Sequence, residues 1–305
     1  MDSDIKITLI GAGTIGLSFA ALHLSHLKDA FQLTIYDTRP DLAEYIKTTL
    51  PKYLDASKHD SIDGVEIADD LASAVRNASI VQEQGPENLP FKKTIWAEIE
   101  QHAPKDALFW SSTSGILASA QSADMTDPSR LIVVHPYNPP HIMPLLEIVP
   151  SPSTSQDVVD RTVGFWKTLG REPIVLKKEC TGFVANRLAF ALLRESIHLV
   201  NEGIVNVEEL DTIVQTSMGP RWAIAGPFKS YHAGGGAGGL EGWFRNIGGT
   251  VQGCWDELGQ VRYPDGQWES NVFKSTADAY GMIDTEARDN ATKRVLAAVE
   301  GKETQ

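Results

Sequence analysis

A histidine and a glutamate frame the most informative stretch of the chain, His135-Pro-Tyr-Asn-Pro-Pro-His-Ile-Met-Pro-Leu-Leu-Glu147. Imidazole suits proton transfer near neutral pH, and a carboxylate on its second ring nitrogen can orient it. His135 ends a predicted strand, where open α/β sheets bind ligands, and Glu147 lies on the next one. The pattern indicates a general base with its orienting acid, and a purely structural His135 is an equal alternative. His141, in the loop between them, is a second candidate for the base.

Side chains that could hold a substrate oxygen occur at two other places. The tract Ser111-Ser112-Thr113-Ser114-Gly115 follows a predicted strand. Its hydroxyls are either hydrogen-bond donors to a substrate or the N-cap of the next helix. Asn186 is predicted near the start of a long helix, where asparagine is unfavourable without a compensating contact. Arg187 beside it is as consistent with a surface charge as with a substrate contact.

A glycine-rich turn follows the first apolar run, with Gly11, Gly13 and Gly16 at the spacing G-x-G-x-x-G. The first glycine permits a tight turn, the second lets a pyrophosphate approach the backbone, and the third allows close helix packing. Apolar residues at helical spacing follow over 17–27, and the N-terminus of this predicted helix offers unpaired N–H groups and the positive end of its dipole. Thr14 and Ile15, within the turn, are further candidates for cofactor binding. This stretch predicts a dinucleotide-binding turn.

An acidic residue ends the second predicted strand, because Asp37 stands twenty-one residues after Gly16. A carboxylate at this position binds ribose hydroxyls and repels the 2′-phosphate of NADP. Arg39 is the counter-argument, since a nearby arginine can accommodate that phosphate. The spacing predicts NAD as the cofactor.

The elements that position these residues alternate between strand and helix from Ile5 to about Leu176, which predicts a parallel sheet covered on both faces. Residues 183–200 then show apolar residues at helical spacing, and further helical segments follow. We therefore predict an α/β chain with a doubly wound parallel Rossmann sheet in residues 1–178 and a smaller all-helical domain in 179–305. The glycine tract 234–242 is either a flexible segment or a place where the backbone approaches a ligand or a second subunit.

The composition narrows the class of partner. The chain has 305 residues and a net charge of −13, which argues against a nucleic-acid partner. Cys180 and Cys254 are too few for a disulfide framework and lie in no metal-ligand cluster, so we expect no metal and a cytoplasmic location. Neither a secretory leader nor an apolar run of membrane-spanning length is evident.

Four ordered motifs resemble the L-3-hydroxyacyl-CoA dehydrogenase superfamily: the glycine turn with its aspartate, SSTSGI at 111–116, HPYNPP…PLLEIVP at 135–150 and GFVANR at 182–187. With GPRWAIAGPF at 219–228, they look most like its short free-acid branch, which includes L-gulonate 3-dehydrogenase (lambda-crystallin) and L-carnitine dehydrogenase. The resemblance covers nearly the whole chain through about residue 250. It implies an NAD-dependent enzyme that interconverts a small 3-hydroxy acid and its 3-oxo form, and a homodimer formed through the C-terminal domain.

The resemblance also implies roles on the substrate side of the site. His135 matches the catalytic base and Glu147 its orienting acid. Ser114 matches the serine at the reacting oxygen and the nicotinamide, and Asn186 matches the asparagine at the substrate. In the implied mechanism His135 removes the hydroxyl proton while the substrate carbon passes a hydride to the nicotinamide.

On the cofactor side, the resemblance matches Glu87 and Lys92, both in PENLPFK, to a cofactor-contacting acid and lysine. It matches Asn138, in HPYN, to an asparagine near the nicotinamide. Members that act on CoA thioesters have a long lysine-rich helical excursion before this region. Here only forty-nine residues separate Asp37 from Glu87, with acids offsetting the lysines, so CoA recognition is in doubt.

Two further interpretations stay open. A 3-hydroxyacyl-CoA thioester is the alternative substrate, whereas a free acid would need a cationic partner, for which Arg187 and Arg221 are candidates. Arg221 is equally consistent with a helix-end charge. A protein of another class, structural or binding without turnover, could also keep this fold. The joint presence of the four substrate-side residues favours the enzyme.

Overall fold

An eight-stranded sheet forms the frame of the first of two structural units. The computed structural model describes residues 5–264 and 266–301. Its internal contacts divide the chain into one unit that ends at Arg187 and another that begins at Leu188. The strands are β1 (Ile7–Ile10), β2 (Leu33–Tyr36), β3 (Glu66–Ile67), β4 (Ile80–Glu83), β5 (Leu108–Ser111), β6 (Leu131–Pro136), β7 (Leu145–Pro150) and β8 (Glu172–Val175).

Helices connect most of these strands and form all the regular structure described after them. They are α1 (Thr14–His26), α2 (Leu42–Thr49), α3 (Leu71–Val75), α4 (Leu89–His102), α5 (Ala118–Gln121), α6 (Gln156–Thr168), α7 (Ala185–Asn201), α8 (Val207–Thr216), α9 (Met218–Ile224), α10 (Pro227–Gly234), α11 (Gly239–Glu257), α12 (Glu269–Tyr280) and α13 (Thr285–Val299). Short 3₁₀ segments lie between them, including Ala56–Gly64. Among the described residues no helix combines the length and apolar character that crossing a bilayer requires.

The strand order is β3-β2-β1-β4-β5-β6-β7-β8, so the chain reverses its direction of winding between β1 and β4. Ligands of such sheets bind at this switch point, beyond the carboxyl ends of the strands. Both faces of the sheet are covered because neighbouring strand residues point to opposite sides. Leu108 packs in the cluster that contains α1 and α6, whereas Phe109 packs in the cluster that contains α3 and α4. The doubly wound arrangement is confirmed.

The sheet is mostly parallel, and the predicted parallel direction fails at one pairing, beyond which β7 and β8 both run opposite to the other strands. Strand β7 runs antiparallel to β6, with His135 opposite Glu147, and β8 is again parallel to β7. Only residues 137–144 separate β6 from β7. A parallel crossover needs a dozen or more residues, usually with a helix, so this short loop can only return the chain antiparallel.

In the second unit, the described residues form helices and no strand, as predicted. Its glycine tract brings α10 close to α11. A Cβ on Gly235 would lie 1.7 Å from the carbonyl oxygen of Gly239. Gly239 itself has φ +56° and lies against the ring of His232. The tract is therefore a place of close approach between two helices of this chain.

Candidate active site

The antiparallel pairing of β6 with β7 brings a histidine and a glutamate face to face. His135 Nδ1 lies 2.8 Å from Glu147 Oε2, and both side chains are buried. A carboxylate only accepts hydrogen bonds, so Nδ1 carries the proton and Nε2 keeps its lone pair. The pair has the geometry of a base with its orienting acid.

The second oxygen of Glu147 binds the start of α7. Glu147 Oε1 accepts hydrogen bonds from the backbone N–H groups of Val184, at 2.8 Å, and Ala185, at 3.0 Å. Burial acts to raise the pKa of the Glu147 carboxyl, but the hydrogen bonds from His135, Ala185 and Val184 outweigh it and hold the pKa below its ordinary value. Glu147 is therefore ionised at neutral pH, as an acceptor from His135 must be.

A phenylalanine that sequence reasoning missed completes the surroundings of the histidine. Phe183 is fully buried, and its ring centroid lies 5.1 Å from that of His135. Its backbone has φ +52°, a conformation that non-glycine residues rarely adopt. This backbone explains why α7 begins at Ala185 and not at the predicted Phe183. A residue in such a backbone conformation beside a buried histidine is typical of a functional site.

Ser114 and Asn186, the two residues predicted to hold a substrate oxygen, are in contact with each other. Asn186 Nδ2 donates to the backbone carbonyl of Ser114 at 2.9 Å, which is the compensating contact expected for an asparagine at this position. Ser114 is exposed, and among the described residues its hydroxyl has no hydrogen-bond partner. The next helix, α5, has Leu117 at its N-cap, so none of the preceding hydroxyls caps it.

Three charged residues surround the turn after β4: Glu87 in the turn, Lys92 on α4, and Glu83 at the end of β4, a buried acid that sequence reasoning missed. Lys92 Nζ donates to both carboxylate oxygens of Glu83, at 2.8 and 2.9 Å, and both side chains are buried. Burial raises the pKa of the Glu83 carboxyl, and the charge of Lys92 opposes that shift. Glu87 is exposed and accepts hydrogen bonds from the Thr113–Gly115 loop. The available signal was an acid at the end of a buried strand, followed by a lysine nine residues later.

The glycine turn has the shape that a dinucleotide needs. Gly11 has φ +100°, and a Cβ on Gly16 would lie 2.1 Å from the carbonyl oxygen of Gly11. A Cβ on Gly13 would meet nothing within 4 Å, so there is open space at this residue. Thr14 and Ile15 begin α1, which has no side-chain cap and no acid in its first turn. Its N–H groups therefore suit a pyrophosphate.

Asp37 and Arg39 lie at the end of β2, beside the glycine turn. Asp37 accepts hydrogen bonds from the backbone N–H groups of Ala12, at 2.7 Å, and Arg39, at 2.9 Å. The Arg39 guanidinium donates to Asp41 at 2.8 Å and lies 3.4 Å from the centroid of the Tyr45 ring. The residues present fit an NAD ribose, because the one nearby arginine already has partners.

The remaining predicted residues are more dispersed. Asn138 is exposed in the loop after β6. His141 Nδ1 lies 2.7 Å from the hydroxyl of Ser18 on α1. Arg187 is exposed at the end of the first unit, and Arg221 is exposed on α9 in the second. No group of metal-ligating side chains occurs within residues 5–264 and 266–301.

Comparisons with known proteins identify the family of the chain. Models of the NAD binding domain and the C-terminal domain of 3-hydroxyacyl-CoA dehydrogenase match residues 6–180 and 182–261. A 3-hydroxyacyl-CoA dehydrogenase of Gibberella moniliformis is 33% identical over 310 residues, which cover 98% of this chain and 96% of that protein. An L-carnitine dehydrogenase of Streptomyces coelicolor is 32% identical over 303 residues, which cover 96% of this chain and 94% of that protein.

One solved structure is similar to this chain over nearly its full length. It is that of 5-formyl-3-hydroxy-2-methylpyridine 4-carboxylic acid 5-dehydrogenase, an NAD⁺-dependent dismutase. It has a TM-score of 0.77 and 27% identity, covering 98% of this chain and 99% of that one. Because the two family models together match most of the chain and these relatives are more than 30% identical over nearly all of it, the chain is an NAD-dependent oxidoreductase that belongs to the 3-hydroxyacyl-CoA dehydrogenase family.

Proposed function

We propose that the chain interconverts a small, free 3-hydroxy acid and its 3-oxo form, with His135 as the general base. The observation that most supports this is the 2.8 Å contact between His135 Nδ1 and Glu147 Oε2, which leaves Nε2 as a proton acceptor. The exposed Ser114 hydroxyl offers a donor for the oxygen of the same substrate.

In the proposed mechanism the substrate gives its hydroxyl proton to His135 and a hydride to NAD. His135 Nε2 takes the proton of the substrate hydroxyl, and Glu147 balances the positive charge that the imidazole then holds. Ser114 donates a hydrogen bond to the reacting oxygen, and the second N–H of Asn186 is available for it as well. NAD, when bound, supplies the acceptor for the hydride that leaves the same carbon. In the reverse direction His135 returns the proton.

For the cofactor we propose that the pyrophosphate lies on the glycine turn and that Asp37 binds the adenosine ribose. Glu87 and Asn138, both exposed, are proposed to face the nicotinamide half. Lys92 is buried and paired with Glu83. We propose that it contributes to cofactor binding through the turn that this ion pair stabilises.

Two observations support a free acid over a CoA thioester. Between Asp37 and Glu87 the chain forms the short helices α2 and α3, strands β3 and β4 and 3₁₀ segments, and no long helical excursion. Several relatives that are named L-carnitine dehydrogenase are 31–34% identical to this chain. The thioester is kept as the second candidate, because the Gibberella moniliformis relative is named for it.

The deciding experiment follows NADH formation from NAD⁺ with carnitine, gulonate, 3-hydroxybutyrate and 3-hydroxybutyryl-CoA. We expect a higher kcat/KM for one of the free acids than for the thioester. A His135→Ala variant is the control for background oxidation. A clear preference for the thioester would overturn the free-acid proposal.

The carboxylate of a free acid needs a cationic partner, and we propose Arg221 or Arg187 for it. Neither guanidinium has an ion-pair partner within the described residues, and both are exposed. An arginine binds a carboxylate through two parallel hydrogen bonds that lysine cannot reproduce. Arg221→Lys or Arg187→Lys should therefore raise KM, whereas Arg245→Lys, at an exposed arginine beside Glu241, should not. Unchanged KM in both test variants would contradict the assignment.

We also propose a homodimer formed through the helical unit, and a cytoplasmic location. Of the described residues after Leu188, only Gly239, Gly259 and Trp268 are buried, while large apolar residues such as Phe190 and Leu193 are exposed. Exposed apolar surface on this scale is typical of a protein interface. Analytical ultracentrifugation should give a dimer for the wild type and a monomer for Leu193→Glu.

For the location, the free Cys180 and Cys254 are consistent with a reducing compartment, which cell fractionation would test.

A further inference from the structure

We propose that Glu87 is a positioning residue that sets the place of Ser114. This inference rests on the proposed role of Ser114 at the reacting oxygen. It gives the Glu87 carboxylate a function inside the protein, in addition to any contact with the cofactor.

One oxygen of Glu87 is the common acceptor for the loop after β5. Glu87 Oε1 accepts hydrogen bonds from Thr113 Oγ1 at 2.5 Å, Gly115 N at 3.0 Å and Ser114 N at 3.2 Å. Two consecutive backbone N–H groups and a buried hydroxyl therefore converge on a single charged atom. Hydrogen bonds to an ionised acceptor are about twice as strong as neutral ones.

The same loop is tied within itself and from its other side. Thr113 Oγ1 also accepts a hydrogen bond from Ile116 N at 3.0 Å, which closes the turn around Ser114. Asn186 Nδ2 donates to the Ser114 carbonyl at 2.9 Å. The N–H and the C=O of Ser114 are thus both held by side chains, and rotation of its hydroxymethyl group is the main freedom left.

The turn that presents Glu87 is itself held by the buried pair of Glu83 and Lys92. Glu83 Oε1 accepts from Gly85 N at 2.6 Å, and Lys92 Nζ lies 3.4 Å from the Gly85 carbonyl. A Cβ on Gly85 would lie 2.6 Å from the ring of Phe91, so the turn has no room for a larger residue. The position of Glu87 is therefore fixed by buried contacts, although its own side chain is exposed.

Placement of this kind has kinetic consequences. A displacement of about 1 Å at a group that contacts the reacting atom can cost on the order of 10²-fold in rate. Removing the common acceptor would release two N–H groups and the Thr113 hydroxyl together. The effect should therefore appear in kcat and vanish when the Ser114 hydroxyl is absent.

A double-mutant cycle tests this with Glu87→Ala, Ser114→Ala and the double variant. We expect Glu87→Ala to lower kcat by roughly 10-fold to 100-fold and to add less than about twofold in the Ser114→Ala background. Glu87→Gln keeps an acceptor oxygen and should recover most of the rate. Glu98→Ala, at an exposed carboxylate of α4 with no hydrogen bond to any described residue, is the control and should match the wild type.

The affinity for NADH, measured by fluorescence, separates this role from a cofactor contact. We expect Glu87→Ala to lower this affinity by a smaller factor than it lowers kcat. A weaker NADH affinity with unchanged kcat, or effects of Glu87→Ala and Ser114→Ala that multiply in full, would overturn the inference. If Ser114→Ala keeps wild-type turnover, the proposed role of Ser114 fails; if Ser114→Ala is impaired and Glu87→Ala is not, only the present inference fails.

A second variant keeps the proposal testable if Glu87→Ala does not fold. Thr113→Val removes the hydroxyl that donates to Glu87 and accepts from Ile116, while it keeps the shape of the buried side chain. Thr113→Val should also lower kcat. Combined with Glu87→Gln, it should raise the activation free energy by less than the sum of the two separate effects. Wild-type kcat in Thr113→Val would count against the proposal.

Discussion

His135 and Glu147 occupy directly opposite positions on two antiparallel strands, and their side chains meet at 2.8 Å. The contact between base and acid is therefore set by the register of β6 against β7 and not by a flexible loop. A slip of one residue would turn each side chain to the other face of the sheet and separate the pair. Because the strands are buried, this register is strongly specified.

Removal of the base is the first prediction. His135→Ala should lower kcat by roughly 10²–10⁴, the usual contribution of a positioned acid–base group. His141→Ala is the matched control, because His141 contacts Ser18 on α1 and not Glu147. Steady-state kinetics on both variants give the answer. A greater loss of kcat in His141→Ala would reverse the assignment of the base.

The second prediction concerns the orienting acid. Glu147→Gln places an amide where His135 Nδ1 and the N–H groups of Val184 and Ala185 all need acceptors. One of these donors then faces an N–H group, so kcat should fall, while the affinity for NADH should stay nearly unchanged because Glu147 is not among the proposed cofactor contacts. Fluorescence titration with NADH and steady-state assays separate the two quantities. Wild-type kcat in this variant would contradict the role of Glu147.

The third prediction is a preference for NAD⁺ over NADP⁺. Asp37 would repel a 2′-phosphate, and Arg39 is engaged with Asp41 and Tyr45 instead of free to bind one. The ratio of kcat/KM for the two cofactors measures this preference. Asp37→Ser should bring the two kcat/KM values closer together because it removes the charge that repels the 2′-phosphate. A higher kcat/KM with NADP⁺ in the wild type would count against the role of Asp37.

Much of this site was predictable from the sequence because its parts are local. The glycine turn, Asp37 and the strand that ends at His135 each depend on a few consecutive residues and their spacing. Other features depend on residues that are distant in sequence. The antiparallel direction of β7, the left-handed backbone of Phe183 and the burial of Glu83 with Lys92 follow from packing and hydrogen bonding across the sheet. No periodicity in the sequence encodes them.

The fourth prediction is a loss of stability in mild acid that originates at His23. This imidazole is fully buried on α1 with Nε2 3.0 Å from Gln82 Oε1, and burial lowers its pKa from 6.5 to about 4. Between these values the unfolded chain binds a proton that the folded chain excludes, so stability falls as the pH decreases. Over this pH range the free energy of unfolding falls by roughly 3 kcal/mol.

Urea unfolding between pH 7.5 and 4.5 would measure this effect. His23→Phe keeps an aromatic ring beside Phe19 and Trp166 but cannot bind the proton. The variant should be less stable than the wild type at pH 7.5, because Gln82 loses its partner, and the difference should shrink toward pH 4.5. If the free energy of unfolding changes equally with pH in the wild type and in His23→Phe, the prediction is refuted.

The fifth prediction compares two neighbouring lysines of α4. Lys92 is 1% exposed and donates to both oxygens of Glu83, whereas Lys93 is partly exposed and pairs with Asp124 at 3.0 Å. Lys92→Met would leave a buried carboxylate without its counter-charge, which costs about 3–5 kcal/mol of unfolding free energy. Lys93→Met removes a surface pair and should cost less than about 1 kcal/mol.

A double variant decides whether the loss in Lys92→Met comes from the unpaired charge. Replacing both partners, as Glu83→Gln with Lys92→Met, removes the charge that the single variant leaves buried, so stability should recover in part. Urea unfolding followed by circular dichroism gives the free energies of all three variants. If the double variant is no more stable than Lys92→Met alone, the main contribution of Lys92 is the packing of its side chain and not the neutralisation of Glu83.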